Sequence, residues 1–230
     1  MSTDIYELRI YTIAVGRTQD MADRFRNDLS VLFPRHGVRI VGSWTAFSGP
    51  QIPTFVYLMR WVSLEERDAA FAGFVQDPDW QEARDRTNAG SELVEHFDIR
   101  FMRALTEPQI AAPMDLSAGG IYELTLQPSA NGRTADMQED FISHDLATRA
   151  RCGGTLNAVF LAMTGPRLPL MVSLMHWPDA QTHAAALSRV DADPALTARR
   201  QDQTRSLGRP ILDQSQTYLM HPLDINWTGA

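Results

Sequence analysis

The chain has little cysteine and lacks long apolar runs. Cys152 is the one cysteine among 230 residues, which excludes an internal disulfide framework and favours a reducing compartment. No stretch approaches the roughly 18 consecutive apolar residues of a membrane helix. The first residues, MSTDIYELRI, lack the basic region and apolar run of a secretory signal. We therefore expect a cytoplasmic protein that has no membrane partner.

Several ligand-binding motifs are also missing. The sequence contains no GxGxxG or GxxxxGKS/T loop for nucleotides and no GxSxG nucleophile turn. The six histidines show no HExxH spacing and no CxxC pair exists, so no metal site is predicted. The formal net charge of −7, without a basic block, argues against nucleic acid as a partner. We expect a small molecule as the ligand.

The chain is rich in internal similarity. The stretch IYELRIYTIAVGRTQDM begins at Ile5, and IYELTLQPSANGRTADM begins at Ile121, 116 residues later. Over 80 ungapped positions this shift gives 26 identities, whereas ordinary residue usage would give roughly one match in fifteen. We predict a first repeat over residues 1–106, a linker rich in Pro, Ala, Ser and Gly over residues 107–120, and a second, diverged repeat over residues 121–230.

Each repeat has the pattern β-α-β-β-α-β. YELRIY alternates as a strand does, whereas Met21, Phe25 and Leu29 recur every four residues, as on one face of a helix. Ser63 opens a second helix through the capping box SLEE. VRIVGSWTAF, TFVYLMRW and HFDIRFMRAL have the composition of strands. This order is typical of a ferredoxin-like unit, in which helices cover one face of a four-stranded antiparallel sheet.

The uncovered face of each sheet needs a partner. The sheet of the other repeat is the obvious one. We therefore predict an α+β protein in which two ferredoxin-like repeats pack sheet to sheet as a dimeric α/β barrel within one chain. Because most soluble oligomers are symmetric homo-oligomers, we also expect a homodimer or a higher homo-oligomer of the whole chain.

The residues that build these elements resemble a known family. YELRIYTIAVG, GSWTAFSG and VYLMRWVSLEERDAAFAGFVQDPDW occur in this order, and together they resemble the NIPSNAP family, which implies the dimeric α-β barrel fold. Proteins of that fold include monooxygenases without prosthetic groups, isomerases, aldoxime dehydratases and haem enzymes, so the resemblance leaves the chemistry open. The second repeat departs from the first at polar positions: Thr125 replaces Arg9, Gln127 replaces Tyr11, Ser173 replaces Tyr57 and His176 replaces Arg60. A site built on these residues is not expected twice.

The alternation of the first strand suggests a site. We predict that Tyr6, Leu8 and Ile10 lie under the helices and that Glu7, Arg9 and Tyr11 point into the barrel. Charged groups are costly there unless they are paired or line a wet cavity. Arg9 would anchor a carboxylate or carbonyl, and Glu7 or Glu123 would move a proton. Alternatively, Glu7 and Arg9 form an ion pair, or a one-residue register slip inverts the two faces.

Other candidates lie on the third strand and its copy. Its aromatic and Met residues either form core or line an apolar pocket beside Arg9. His176 is an acid–base candidate, an axial haem ligand or a structural imidazole. His144 and Asp145 are predicted on a helix, with its surface as one open placement. The predicted catalytic residues are Glu7, Arg9, Tyr11, Tyr57 and His176, and the predicted substrate-binding residues are Trp44, Phe55, Met59, Trp61 and Glu123.

These residues favour an enzyme. We expect it to act on a small carboxylated or aromatic metabolite by acid/base chemistry in the barrel cavity, as an isomerase, a lyase or a cofactor-free oxygenase. No obligatory cofactor is predicted, and haem stays open as a ligand. The alternatives are a non-catalytic protein that binds a ligand or haem, and a structural homo-oligomeric barrel module.

Overall fold

The computed structural model describes residues 3–105 and 113–227, which form two copies of one unit. The elements of the first copy are β1 (Ile5–Ile13), α1 (Thr18–Arg24), a π-helical turn (Phe25–Leu29), α2 (Ser30–Arg35), β2 (Arg39–Ser48), β3 (Thr54–Trp61), α3 (Leu64–Gln76), α4 (Pro78–Asn88) and β4 (Val94–Ala104). Those of the second copy are β5 (Ile121–Pro128), α5 (Thr134–Asp140), a π-helical turn (Phe141–Asp145), α6 (Leu146–Arg151), β6 (Thr155–Ala162), β7 (Leu170–Trp177), α7 (Ala180–Asp191), α8 (Pro194–Leu207) and β8 (Gln216–Pro222). None of the described helices is long and apolar enough to cross a membrane.

The strands close into one barrel in the order β1-β3-β2-β8-β5-β7-β6-β4. Every neighbouring pair is antiparallel. Two seams join the repeats: β2 pairs with β8, and the end of β4 pairs with the end of β6. The predicted fold class is confirmed, because each repeat supplies the sheet that the other needs and the barrel closes within one chain.

The interior of the barrel is apolar, and this overturns the predicted strand faces. Tyr6, Leu8 and Ile10 point inward and meet the equivalent residues of β5. Glu7 and Arg9 lie on the helix side instead, where Glu7 contacts Arg67 of α3. The prediction was wrong because the two sheets together exclude water, so the interior takes the apolar face. A buried charge is tolerated in the sheet–helix layer, where long helical side chains reach it.

The middle of the barrel is filled. The remaining void is about 10 Å³, which is about the size of a single water site. The predicted linker falls partly on residues 106–112, outside the described residues, but its later part closes one barrel end. Leu116 is buried among the inward side chains, and Met114 donates its backbone N–H to the carbonyl of Val41 at 2.7 Å. The barrel interior therefore has no room for a substrate.

The predicted capping box at Ser63 is present and gives a first testable prediction. The Ser63 hydroxyl accepts from the backbone N–H of Glu66 at 3.2 Å, and the Glu66 carboxylate accepts from the N–H of Val62 at 2.7 Å. Ser63→Ala is expected to lower the free energy of unfolding by about 1 kcal/mol, and Ser63→Thr by much less. Urea unfolding measures both. Equal losses in the two variants would mean that the cap does not stabilise α3.

Candidate functional site

Glu7 is the centre of a polar cluster on the helix side of the first repeat. Its side chain is 0% exposed. One carboxylate oxygen accepts from Arg9, whose Nε lies 2.7 Å away, and the other accepts from the indole N–H of Trp61 at 3.0 Å and from Arg67 at 3.2 Å. The ion pair between Glu7 and Arg9, one of the sequence-based alternatives, is therefore present.

Arg9 connects Glu7 to two tyrosines. Its Nη1 donates to the hydroxyls of Tyr11 at 2.8 Å and Tyr57 at 3.1 Å, and these hydroxyls are 2.7 Å apart. Burial opposes the charge of Arg9, but Tyr57, Tyr11 and Glu7 outweigh it and raise its pKa. Burial also raises the pKa of Tyr57 well above its ordinary value. The structure thus assembles four of the predicted catalytic residues, but they satisfy one another and Arg9 is only 8% exposed.

The predicted substrate-binding residues of the first repeat do not surround a common space. Phe55, Met59 and Trp61 are buried on the helix side of β3, in the same apolar cluster as residues of α1 and α2. Trp44 points the opposite way, into the barrel, where its ring packs against Tyr122 with centroids 5.6 Å apart. Trp44 and the other three residues therefore lie on opposite faces of the sheet and cannot line one pocket.

His176 lies in the second repeat, apart from the cluster around Arg9. The imidazole is partly buried on β7, its Nε2 lies 3.1 Å from the carbonyl oxygen of Gly119, and its ring packs against Tyr122 with centroids 5.0 Å apart. No described contact joins it to the other predicted catalytic residues. The structure therefore gives His176 the surroundings of a structural imidazole.

The second repeat has a cavity where the first has its arginine and tyrosines. The apolar residues between sheet and helices form one continuous cluster in the first repeat. In the second repeat they form two separate clusters. Between the two parts lies a cavity of about 60 Å³, room for a few waters or a small polar molecule. Its strand wall contains Thr125, Gln127 and Ser173, and its helix wall contains His144, Asp145 and Arg149.

Arg149 lines this cavity, and one of its donors is unpaired. It stands at the repeat position of Phe33, and its Nη1 donates to the Glu123 carboxylate at 3.0 Å. Its Nε is buried and has no partner among the described residues. Glu123 also accepts from Trp177 at 2.9 Å and lies 3.1 Å from His183. Burial opposes ionisation of Glu123, but His183 and Arg149 outweigh it and lower its pKa to about 2. The ionised carboxylate therefore fixes the guanidinium.

Two titratable side chains of the second π-helical turn line the same cavity. His144 makes no side-chain hydrogen bond to a described residue, and Asp145 lies 3.3 Å from Arg200. Burial raises the pKa of Asp145 against the opposing charge of Arg200. Turns of this kind are frequent at functional sites. A carboxyl group with a raised pKa beside a free arginine donor is suited to exchange a proton with a bound molecule.

Arg149 was not among the residues predicted from the sequence, and His144 and Asp145, which were predicted on a helix, are half-buried at the cavity. A signal existed in the repeat alignment. Ser173 replaces the large Tyr57 on the strand, while Arg149 replaces an apolar residue on the helix that faces it. A lost aromatic side chain opposite a gained charge indicates a polar cavity. Glu123, predicted to bind substrate, lies behind Arg149 and positions it. In the described part of the chain, no three metal-ligating side chains cluster together.

The sequence of the first repeat matches one protein family. Residues 6–106 match the model of the NIPSNAP family. This part of the chain, less than half of its length, resembles a NIPSNAP domain. This domain contains the unit from β1 to β4 with the closed Glu7 cluster, whereas the cavity lies in the second repeat, beyond the matched residues. A search of curated proteins finds no match to the chain.

Solved structures resemble both repeats together, beyond the NIPSNAP domain alone. An anthrone oxidase-like protein superposes with a TM-score of 0.63 at 13% identity, over 95% of this chain and 91% of that one. A candidate monooxygenase from Lactobacillus acidophilus NCFM has a TM-score of 0.55 at 9% identity, over 96% of this chain and 95% of its own. A second candidate monooxygenase, from Fusobacterium nucleatum, has a TM-score of 0.56 at 9% identity. The superposition covers 96% of this chain and 93% of that one. At these identities the likeness shows the barrel fold alone.

Proposed function

We propose that the protein is an enzyme that acts by acid/base chemistry on a small carboxylated metabolite, as an isomerase, a lyase or a cofactor-free oxygenase. Its site is the cavity of the second repeat. The observation that carries this proposal is that Arg149, whose Nε is unpaired, lines the same cavity as Asp145, whose pKa is raised by burial. The names of the structural neighbours, anthrone oxidase-like and candidate monooxygenase, support small-molecule chemistry on this barrel.

Three charged groups have roles in the proposed chemistry. The free Nε of Arg149 donates to a carboxylate or carbonyl oxygen of the ligand, and the guanidinium stabilises negative charge that develops on that oxygen when a neighbouring C–H loses its proton. The carboxylate of Asp145 takes this proton and later returns it. Glu123 stays ionised and holds the guanidinium in place, since it accepts from Arg149 through a separate nitrogen.

Proton exchange in deuterated water tests the proposal even when the product is unidentified. The protein is incubated with a panel of small 2-oxo acids, and proton NMR follows deuterium incorporation next to the carbonyl. We expect exchange for at least one member of the panel. Ser173→Leu replaces the serine side chain with a larger isobutyl group that takes up space in the cavity. It is expected to slow this exchange roughly tenfold or more, which corresponds to a loss of about 1.4 kcal/mol in binding free energy.

A matched control separates cavity filling from a general effect of the substitution. Ser188 lies on the exposed side of α7, outside the cavity, so Ser188→Leu is expected to leave exchange unchanged. Exchange that survives Ser173→Leu with the native fold intact would place the chemistry elsewhere. A panel without any exchanging member would argue against proton abstraction as the activity.

A further inference from the structure

The barrel end opposite the linker opens into a second cavity. The linker residue Leu116 closes the end near Tyr6 and Tyr122. At the other end a cleft of about 320 Å³ lies on a floor of Ile10, Leu126 and Leu170. This volume is within the range of small-molecule sites. We call this cleft the barrel mouth; residues of both repeats line it, so it exists only because the two halves close on each other.

The inward faces of two strands become polar as they approach the barrel mouth. On β4 the residue opposite Tyr6 is Met102, followed by Arg100 opposite Leu8 and Asp98 opposite Ile10. The same positions of β8 hold Met220, Tyr218 and Gln216, opposite Tyr122, Leu124 and Leu126. Both strands therefore change from apolar to polar over the same distance.

Two donors at the barrel mouth have unused capacity. Arg100 is 5% exposed and binds Asp98 through Nε at 3.0 Å and Nη2 at 2.6 Å. Its Nη1 makes no hydrogen bond to a described residue. Tyr218 is equally buried, and its hydroxyl also makes no hydrogen bond to a described residue. A donor without a protein partner is satisfied by water or by a ligand, so both are suited to an oxygen-bearing ligand.

The rim adds positive charge in a chain whose net charge is negative. Arg167 borders the barrel mouth with its side chain 53% exposed, and its nearest carboxylate, Asp213, is 3.6 Å away. The adjoining groove shares Arg167 with the barrel mouth and adds Arg133 and Arg209. Arginine forms strong bidentate pairs with carboxylates. The ligand expected at the barrel mouth is therefore an anion with a hydrophobic body.

We propose that the barrel mouth is a second binding site, for a small carboxylic acid with an apolar body. The carboxylate contacts Arg167 at the rim and accepts from the free donors of Arg100 and Tyr218, and the apolar body rests on Ile10, Leu126 and Leu170. This site is separate from the cavity of the second repeat, where Asp145 is the proposed base. The residues of the barrel mouth bind the acid but do not transfer a proton.

Titrations with matched acids and amides test this site. Benzoate, 1-naphthoate and octanoate are compared with their primary amides by ligand-observed NMR on the full chain. We expect at least one acid to bind at least tenfold more tightly than its amide. The double variant Arg167→Gln/Tyr218→Phe is expected to raise the Kd of that acid roughly tenfold, since the carboxylate loses a charged partner and a hydrogen-bond donor. Both changes are conservative, and an unchanged Tm confirms that the fold is kept.

Two further variants make the outcome specific. Arg205→Gln removes an exposed arginine from α8, away from the barrel mouth, and is expected to leave the Kd unchanged. Ser173→Leu fills the other cavity and should also have no effect on it. The proposal is overturned if no acid binds, if acids and amides bind equally, or if the double variant changes nothing. Loss of binding in Ser173→Leu alone would assign the acid to the second-repeat cavity and overturn the barrel mouth only.

Discussion

Glu123→Gln is expected to lower the free energy of unfolding by about 3 kcal/mol at neutral pH. The carboxylate is buried and accepts from Trp177 and Arg149, with His183 at 3.1 Å. An amide of the same shape cannot satisfy all three, because its NH₂ group is a donor and would face another donor. The shift of the pKa from 4.5 to about 2 corresponds to about 3 kcal/mol, at 1.36 kcal/mol per unit.

The free energy of unfolding lost in Glu123→Gln depends on pH. Because the folded-state pKa of Glu123 lies below the unfolded one, its ionised form contributes full stability above about pH 4.5. This contribution disappears as the pH falls toward 2. Urea unfolding of the wild type and Glu123→Gln should therefore differ strongly at pH 7 and much less at pH 3. Asp202→Asn, an exposed change on α8, is the control. A difference that grows in acid would contradict the ionised Glu123 described above.

Asp145→Asn is expected to slow deuterium exchange roughly 100- to 10,000-fold, the usual contribution of a general base. Asparagine has nearly the same shape but cannot accept the proton. Because burial penalises the ionised carboxylate, the variant is expected to fold as well as the wild type, and an unchanged Tm confirms this. The readout is the NMR exchange assay with the panel member that the wild type exchanges fastest.

The pH profile of exchange distinguishes a base from a positioning residue. The wild-type rate should rise with pH and level off above the pKa of Asp145, which burial places above its usual range. In Asp145→Asn this rise should vanish, whereas Asp202→Asn should keep it. A variant that retains the wild-type profile, even at a lower rate, would show that another group takes the proton. His144, in the same cavity, would then be the next candidate.

The repeat and the closed barrel could be predicted from sequence because they depend on patterns. The match between the segments at Ile5 and Ile121 defined two units, and an uncovered sheet face required a partner. The strand faces could not be decided in the same way. Tyr6 and Tyr11 lie on opposite faces of β1, and each face contains large apolar atoms, so the alternation alone fits both orientations. The orientation depends on whether the barrel interior or the layer between sheet and helices excludes water better, and that is a property of the tertiary structure.

The candidate site was harder to predict for a physical reason. Its strand residues are visible in the sequence as departures from the first repeat, since Ser173 replaces Tyr57 and Thr125 replaces Arg9. Its charged residues come from a helix whose π-helical turn shifts the direction of every following side chain. The contact of Arg149 with Glu123 could not be read from the sequence spacing, because it depends on that shift.

A crystal structure with the fastest-exchanging panel member bound tests the second-repeat cavity as the site of chemistry. We expect electron density in this cavity, with a ligand oxygen roughly 3 Å from Nε of Arg149 and a C–H group facing Asp145. Density at the barrel mouth or beside Arg9, with the second-repeat cavity holding only water, would contradict this assignment.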